Sequence, residues 1–102
     1  MICKIAMRPV HPGEVLREDF QSEMGVSVAA LARALSVSAY AINAVLSRRR
    51  GVSAEMALRL ATCLSTTPEF WLNLQTAFDL RTAELKHGDE IHRQVQRLVA
   101  CA

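Results

Sequence analysis

Residues 27–51, SVAALARALSVSAYAINAVLSRRRG, are the stretch that most restricts how this chain can fold. Two helix-start signals fall close together within it. Ser27 and Ser38 each stand ahead of a short apolar run, where a serine hydroxyl can accept a hydrogen bond from a first-turn N–H. Ala29, Leu31, Ala32 and Leu35 supply the apolar positions of the first run. Ile42, Val45 and Leu46 fall at i, i+3 and i+4 of the second. Ser36 and Val37 leave room only for a tight turn between them. The unit ends on Arg48, Arg49 and Arg50, includes Arg33, and has no acidic residue. Every other segment reads as something that props this unit up, pairs it with a second copy, or connects it to a partner.

Charge is distributed to match. The 102 residues carry a net charge of only +2, yet residues 27–51 carry +4 and residues 11–26 carry −3. A basic block in a nearly neutral chain is the electrostatic footprint expected of a phosphate-backbone contact; the plainer reading is a solvated helix surface. The length suits one domain. Aromatics make up 5% of the chain and alanine, leucine and valine dominate, which favours small, closely packed helices. No strand-like alternation is present, so the fold class is all-α.

Cys3, Cys63 and Cys101 are single, far apart and odd in number. Without a CxxC spacing they suggest neither a zinc site nor a disulfide framework. Cys63 lies on an apolar helix face and is most simply a core residue. This fits a reducing cytoplasm. No apolar run approaches the roughly 18 residues that span a bilayer, and the N-terminal stretch is broken by Lys4, Arg8, Pro9 and Pro12, unlike a secretory leader.

Around the central unit the chain divides readily. Residues 1–10 read as an extended arm. Pro12 opens a helix with Val15, Leu16, Phe20 and Met24 as its stripe and Gly25 as its end. Ser53 caps a fourth helix whose stripe is Met56, Ala57, Leu60, Ala61 and Leu64. Thr67, Pro68 and Glu69 start a fifth, expected to run to about Lys86. Gly88 is expected to break it. Asp89 would then cap a short amphipathic helix or tail over 88–102, with Ile91, Val95, Leu98 and Val99 on one side. The domain is thus 11–87, with its central unit at about 27–47 and a dimerisation helix at about 68–86.

Ala32 gives the central pair its meaning. A small residue there lets two helices cross closely, and the spacing to Ser36–Val37 and on to Ile42 buries Val37 and Ile42 beneath the crossing. This spacing resembles the helix-turn-helix of the Cro and repressor superfamily. Two departures stand out: Ser36 occupies a turn position where glycine is common, and Val28 one where glutamine often contacts a phosphate. In that geometry the second helix presents its N-terminal residues to base edges in the major groove. The expected contact set is Ser27, Ser38, Ala39, Tyr40, Asn43, Ala44, Arg48, Arg49 and Arg50. Asn43 can offer a donor and an acceptor to adenine. Tyr40 can meet a phosphate or pack on a thymine methyl, and Ala39 and Ala44 can make only apolar contact. The arginines would hold phosphate without reading sequence. Base-reading groups are few, so DNA shape is expected to share in specificity.

Three segments carry a closer likeness: RPVHPGEVLREDF at 8–20, LSVSAYAINAVLSRRRGVSAEMALRLA at 35–61, and TTPEFWLNLQTAFDLRTAEL at 66–85. Together they resemble the HigA-type antitoxins, also known as virulence-associated protein I-like regulators, over about three quarters of the chain. The resemblance implies a five-helix, lambda-repressor-like domain. It also implies a DNA-binding antitoxin that dimerises, neutralises a HigB-type ribosome-dependent mRNA endonuclease, and represses its own operon. A stand-alone repressor without a toxin shares every DNA-binding feature; a protein-interaction module that no longer binds DNA is a third reading.

Helix five agrees with dimerisation. Trp71, Leu74 and Phe78 make one buried stripe, and Phe70, Leu72, Ala77 and Leu80 remain as surplus in a small domain. The expected interface is Phe70, Trp71, Leu72, Leu74, Gln75 and Phe78, with Asn73 and Gln75 bonding across it or capping a neighbouring loop. A two-fold dimer implies a palindromic site on double-stranded DNA. Catalysis is not expected. His11, His87 and His92 share no helical face, and no HExxH, GxSxG or phosphate-binding glycine motif occurs. No metal, cofactor, membrane or small-molecule substrate is implied.

Overall fold

The computed structural model describes residues 9–98. These fold into five helices without a strand, so the domain is all-α. The first, α1, is one helical run made of Pro12–Val15, Leu16–Gln21 and Ser22–Met24; α2 is Val28–Leu35, α3 Ala39–Leu46, α4 Ala54–Leu64 and α5 Pro68–Gln94. Residues 1–8, most of the expected arm, and 99–102 lie outside the described residues, as do Cys3 and Cys101.

Each helix starts on the side chain its sequence offers. Ser27, Ser38, Ser53 and Thr67 accept from the backbone N–H groups of Ala30, Ala41, Met56 and Phe70 at 3.1, 3.1, 3.2 and 3.1 Å. The cap of α1 is less usual: Nδ1 of His11 accepts from the Gly13 N–H at 2.8 Å. Four helices end by turning through left-handed backbone. Gly25 does so for α1 at φ 66°, but Ser36 (φ 58°), Arg48 (φ 66°) and Ser65 (φ 58°) take the same conformation without being glycine.

The core gathers Leu16 from α1, Leu31 and Leu35 from α2, Ile42 and Val45 from α3, Leu60 from α4 and Trp71 from α5. Ala32 is buried where α2 and α3 cross at 113°, as the small residue there predicts. The Trp71 ring has no exposed surface. It meets Phe20 at 5.5 Å and Phe70 at 4.9 Å between centroids, and its Nε1–H donates to Thr66 Oγ1 at 2.7 Å. Truncating a ring so enclosed costs about 3–5 kcal/mol.

Two sequence expectations change here. Residues 16–21 wind more widely than an α-helix, with the Ser22 N–H bonded to the Arg17 carbonyl, five residues back. The wider turn shifts the register, so Met24 leaves the buried stripe and is 57% exposed. Gly88 does not break α5, which continues to Gln94, and Asp89 therefore caps nothing. A single glycine inside a helix costs only about 1 kcal/mol, and side-chain contacts flank this one: Arg81–Glu84 at 3.4 Å, His87–Glu90 at 3.6 Å and Gln94–Glu90 at 3.3 Å. Residues 95–98 are not helical.

His11 is buried, with only 2% of its surface exposed. Its ring meets Phe78 edge-on at 4.9 Å. Burial, and secondly the positive charge of Arg48, hold its pKa below the ordinary histidine value, against the opposing pull of Asp79 and Glu14. Its cap bond also needs Nδ1 unprotonated. The unfolded chain takes up this proton at about pH 6.5 and the folded chain only at lower pH, so stability falls as pH drops below about 6.5 and is undiminished above it. Thermal melts should show a loss between neutral pH and about pH 5.5 that is smaller in His11→Asn, which can still cap; parallel curves for the two proteins would refute this role.

Candidate nucleic-acid interface

The exposed side of α3 is built by elimination. Ile42, Val45 and Leu46 turn into the core, which leaves Ala39, Tyr40, Asn43 and Ser47 facing outward. Tyr40 is 67% exposed, although nothing about its size requires it. The chain then reverses. Arg48 takes the left-handed position, its N–H bonds to the Val45 carbonyl at 3.0 Å, and the Arg49 N–H bonds to the Ala44 carbonyl at 2.9 Å. This closing motif satisfies the last carbonyls of α3 and carries the arginines back beside its open face. The guanidiniums of Arg49 and Arg50 each sit 5.9 Å from the centre of the Tyr40 ring.

Most of the predicted contact residues lie on the surface, and Tyr40, Asn43 and Arg49 share one concavity. Ser27, Ser38, Ala39, Tyr40, Asn43, Arg48, Arg49 and Arg50 are all exposed. Ala44 is a correction: it is 3% exposed, because the returning arginine loop covers it and its carbonyl takes the N–H groups of both Arg49 and Arg50. Helical spacing alone placed it beside Tyr40 and gave no sign of the chain folding back.

The interface set expected on α5 divides. Trp71 is wholly inside the protomer and has no surface to offer a second copy, which is a second correction. Gln75 is half-buried and engaged within its own chain. Its Oε1 accepts from the Val52 N–H at 2.8 Å and its Nε2 donates to Asp79 Oδ1 at 3.0 Å. It therefore caps the neighbouring loop, the other use open to it. Phe70 is 39% exposed, and Leu72, Leu74 and Phe78 are half-buried. Leu74 and Phe78 line an apolar cleft of about 380 Å³ with Val15, Ala77 and the 61% exposed Leu80.

Three positioning contacts were not legible in the sequence. Arg59 of α4 donates through Nη1 to the carbonyls of Leu35 and Ser36 at 2.9 and 3.4 Å, and pairs with Glu55 at 2.9 Å. It steadies the turn before α3, as Gln75 steadies the loop after it. A Cβ at Gly13 would overlap the Val45 carbonyl, so only glycine lets α1 lie this close to the end of α3. Ser47 ties the face together, donating to the Asn43 carbonyl at 2.7 Å and accepting from Arg49 Nε at 3.1 Å. Among the described residues no cluster of acidic, histidine or cysteine side chains is placed to hold a metal ion, and no single helix is long and apolar enough to cross a membrane.

No family model matches the chain. Single relatives do. Virulence-associated protein I of Dichelobacter nodosus is 47% identical over 79% of this chain and 75% of its own length. The chain belongs to the HigA-type antitoxin family. Among solved structures, antitoxin GraA in complex with its operator superposes with a TM-score of 0.86 at 72% identity, covering 91% of this chain and 94% of that one. The Pseudomonas aeruginosa antitoxin HigA with the higBA promoter gives 0.86 at 46% identity, over 90% and 100%.

In this HigA-type chain the left-handed Arg48 is where fold and surface compete. A side chain at such a φ costs of the order of 1 kcal/mol relative to glycine. Arg48→Gly should therefore raise the melting temperature while weakening binding to DNA. A variant that is stabilised but binds as tightly as the native chain would remove Arg48 from the interface.

Proposed function

We propose that this protein is the antitoxin of a toxin–antitoxin pair: a homodimer that binds a palindromic operator in double-stranded DNA, represses its own operon and neutralises a HigB-type mRNA endonuclease. The carrying observation is an outward face of α3 with no part in the core, flanked by three arginines turned back along it. A helix of this width fits the major groove, and residues at its exposed front meet base edges there. Asn43 reads adenine, and Arg48 and Arg50 hold phosphates. Ser27 and Ser38 spend their hydroxyls on helix caps and add the N-terminal ends of α2 and α3, which favour phosphate. The likeness to relatives solved with operator or promoter DNA supports the same use of the face.

A chain of this kind works by binding, not by catalysis, and acts in the cytoplasm where its DNA is. It uses no cofactor, metal or small-molecule substrate. The second copy meets the apolar cleft along α5, through Leu74, Phe78 and Leu80 with Phe70 and Leu72 beside them, and sets two α3 helices about 34 Å apart.

A gel shift with the protein's own promoter fragment tests the DNA reading, and absence of retardation at low salt would defeat it. Arg50→Ala should weaken binding on all duplexes and lower the slope of log affinity against log salt by roughly one per protomer. Asn43→Ala should instead relax preference at one or two base pairs by roughly 1–3 kcal/mol each.

Leu80→Glu changes an exposed side chain and so should leave the melting temperature nearly unchanged. It should sediment as a monomer. A persisting dimer would exclude this cleft as the contact.

A further inference from the structure

By their place in the chain all three arginines suit the phosphate backbone, but the structure separates Arg49 from its neighbours. Its Nε donates to Ser47 Oγ at 3.1 Å, and its guanidinium lies over the Tyr40 ring at 5.9 Å. Ser47 is itself fixed, because its hydroxyl donates to the Asn43 carbonyl at 2.7 Å. Tyr40, Asn43, Ser47 and Arg49 line one open, shallow concavity of about 580 Å³ on the face of α3. Arg49 thus belongs to the middle of the face. Arg50 shares the Tyr40 ring, yet its side chain makes no hydrogen bond among the described residues.

We propose that Arg49 is a base-reading residue, held over the face of α3 by Ser47 and Tyr40 to take the major-groove edge of a guanine. This deepens the operator-binding reading and rests on it. The chemistry is specific. With Nε occupied by Ser47, the two terminal nitrogens make no hydrogen bond among the described residues. Guanine presents two acceptors side by side, N7 and O6, and a planar guanidinium can meet both at once. Arginine's rigid planar fork fixes two donors at the spacing of N7 and O6, a geometry that the flexible point charge of lysine holds less well. Tethering also removes part of the ordering cost of a long side chain on binding. Asn43 for adenine and Arg49 for guanine then give one protomer two polar base readers, one on α3 and one in the loop that follows it.

The test uses a duplex of the protein's own promoter region in which each guanine is replaced, one at a time, by 7-deazaguanine. That base lacks the N7 acceptor and pairs normally. At one position in each half-site the replacement should weaken the native protein roughly tenfold. The same replacement should leave Arg49→Ala unaffected and Arg49→Lys less affected than the native chain, both already weakened on the unmodified duplex. Arg50→Ala should remain as sensitive as the native chain. Ser47→Ala, which keeps the fold by its melting curve, should show a smaller effect at that same position. Arg49→Lys binding the unmodified duplex as well as the native protein would overturn the proposal, as would a native protein indifferent to every replacement. If the unmodified duplex is not retarded at all, the operator reading itself fails, a different result from binding without guanine sensitivity.

Discussion

An eight-residue helix has little stability of its own in water. The structure depends on meeting that limit for α3, the helix with the most exposed work to do. Its inward residues, Ile42, Val45 and Leu46, are buried against the other helices. Its start is capped by Ser38, and its end is closed by the reversal at Arg48. Behind it, Arg59 fastens the preceding turn and Gln75 the following loop. Gly13 lets α1 come up against the Val45 carbonyl from a third side. These contacts come from the inner side of α3 and from residues beyond it, so the outward side chains of Ala39, Tyr40 and Asn43 are free of any duty to hold the helix in place.

Backbone conformation is not given up freely in this arrangement. Ser36 and Arg48 bracket α3 in left-handed conformations that glycine would adopt with less strain. At Ser36 the strain falls where Arg59 supplies a compensating hydrogen bond to the same residue's carbonyl. At Arg48 no comparable strut is present among the described residues, and the side chain there carries a charge that a glycine would lack.

Much of this was legible in the sequence because it is local. Serine and threonine caps, a glycine or serine at a helix end, and the small Ala32 all act through nearest neighbours, and each stands where the residues predicted. The misses share a different cause. Trp71 and Gln75 sit on an apolar stretch that suited an intermolecular surface, and only tertiary packing decides that one fills the core and the other caps a loop. Ala44 disappeared beneath a chain reversal four residues later, and Met24 left its stripe when α1 widened. Gly88 has the residue type of a terminator, yet one glycine is a small penalty in a helix that otherwise continues. Arg59 and Ser47 gave no signal at all: an arginine on a helix face and a serine at a helix end are common, and their partners are known only once the fold is.

The division of labour on α3 has an evolutionary consequence. Tyr40, Asn43 and Ser47 recur on one exposed side, while the residues that hold the helix recur on the other. Substitution on the outer side therefore leaves the packing of Ile42 and Val45 untouched. A duplicated gene could exchange those outer residues and drift to a new DNA sequence without first losing its fold. Several such regulators can then share a cell with little cross-talk, distinguished by a handful of side chains on a common frame.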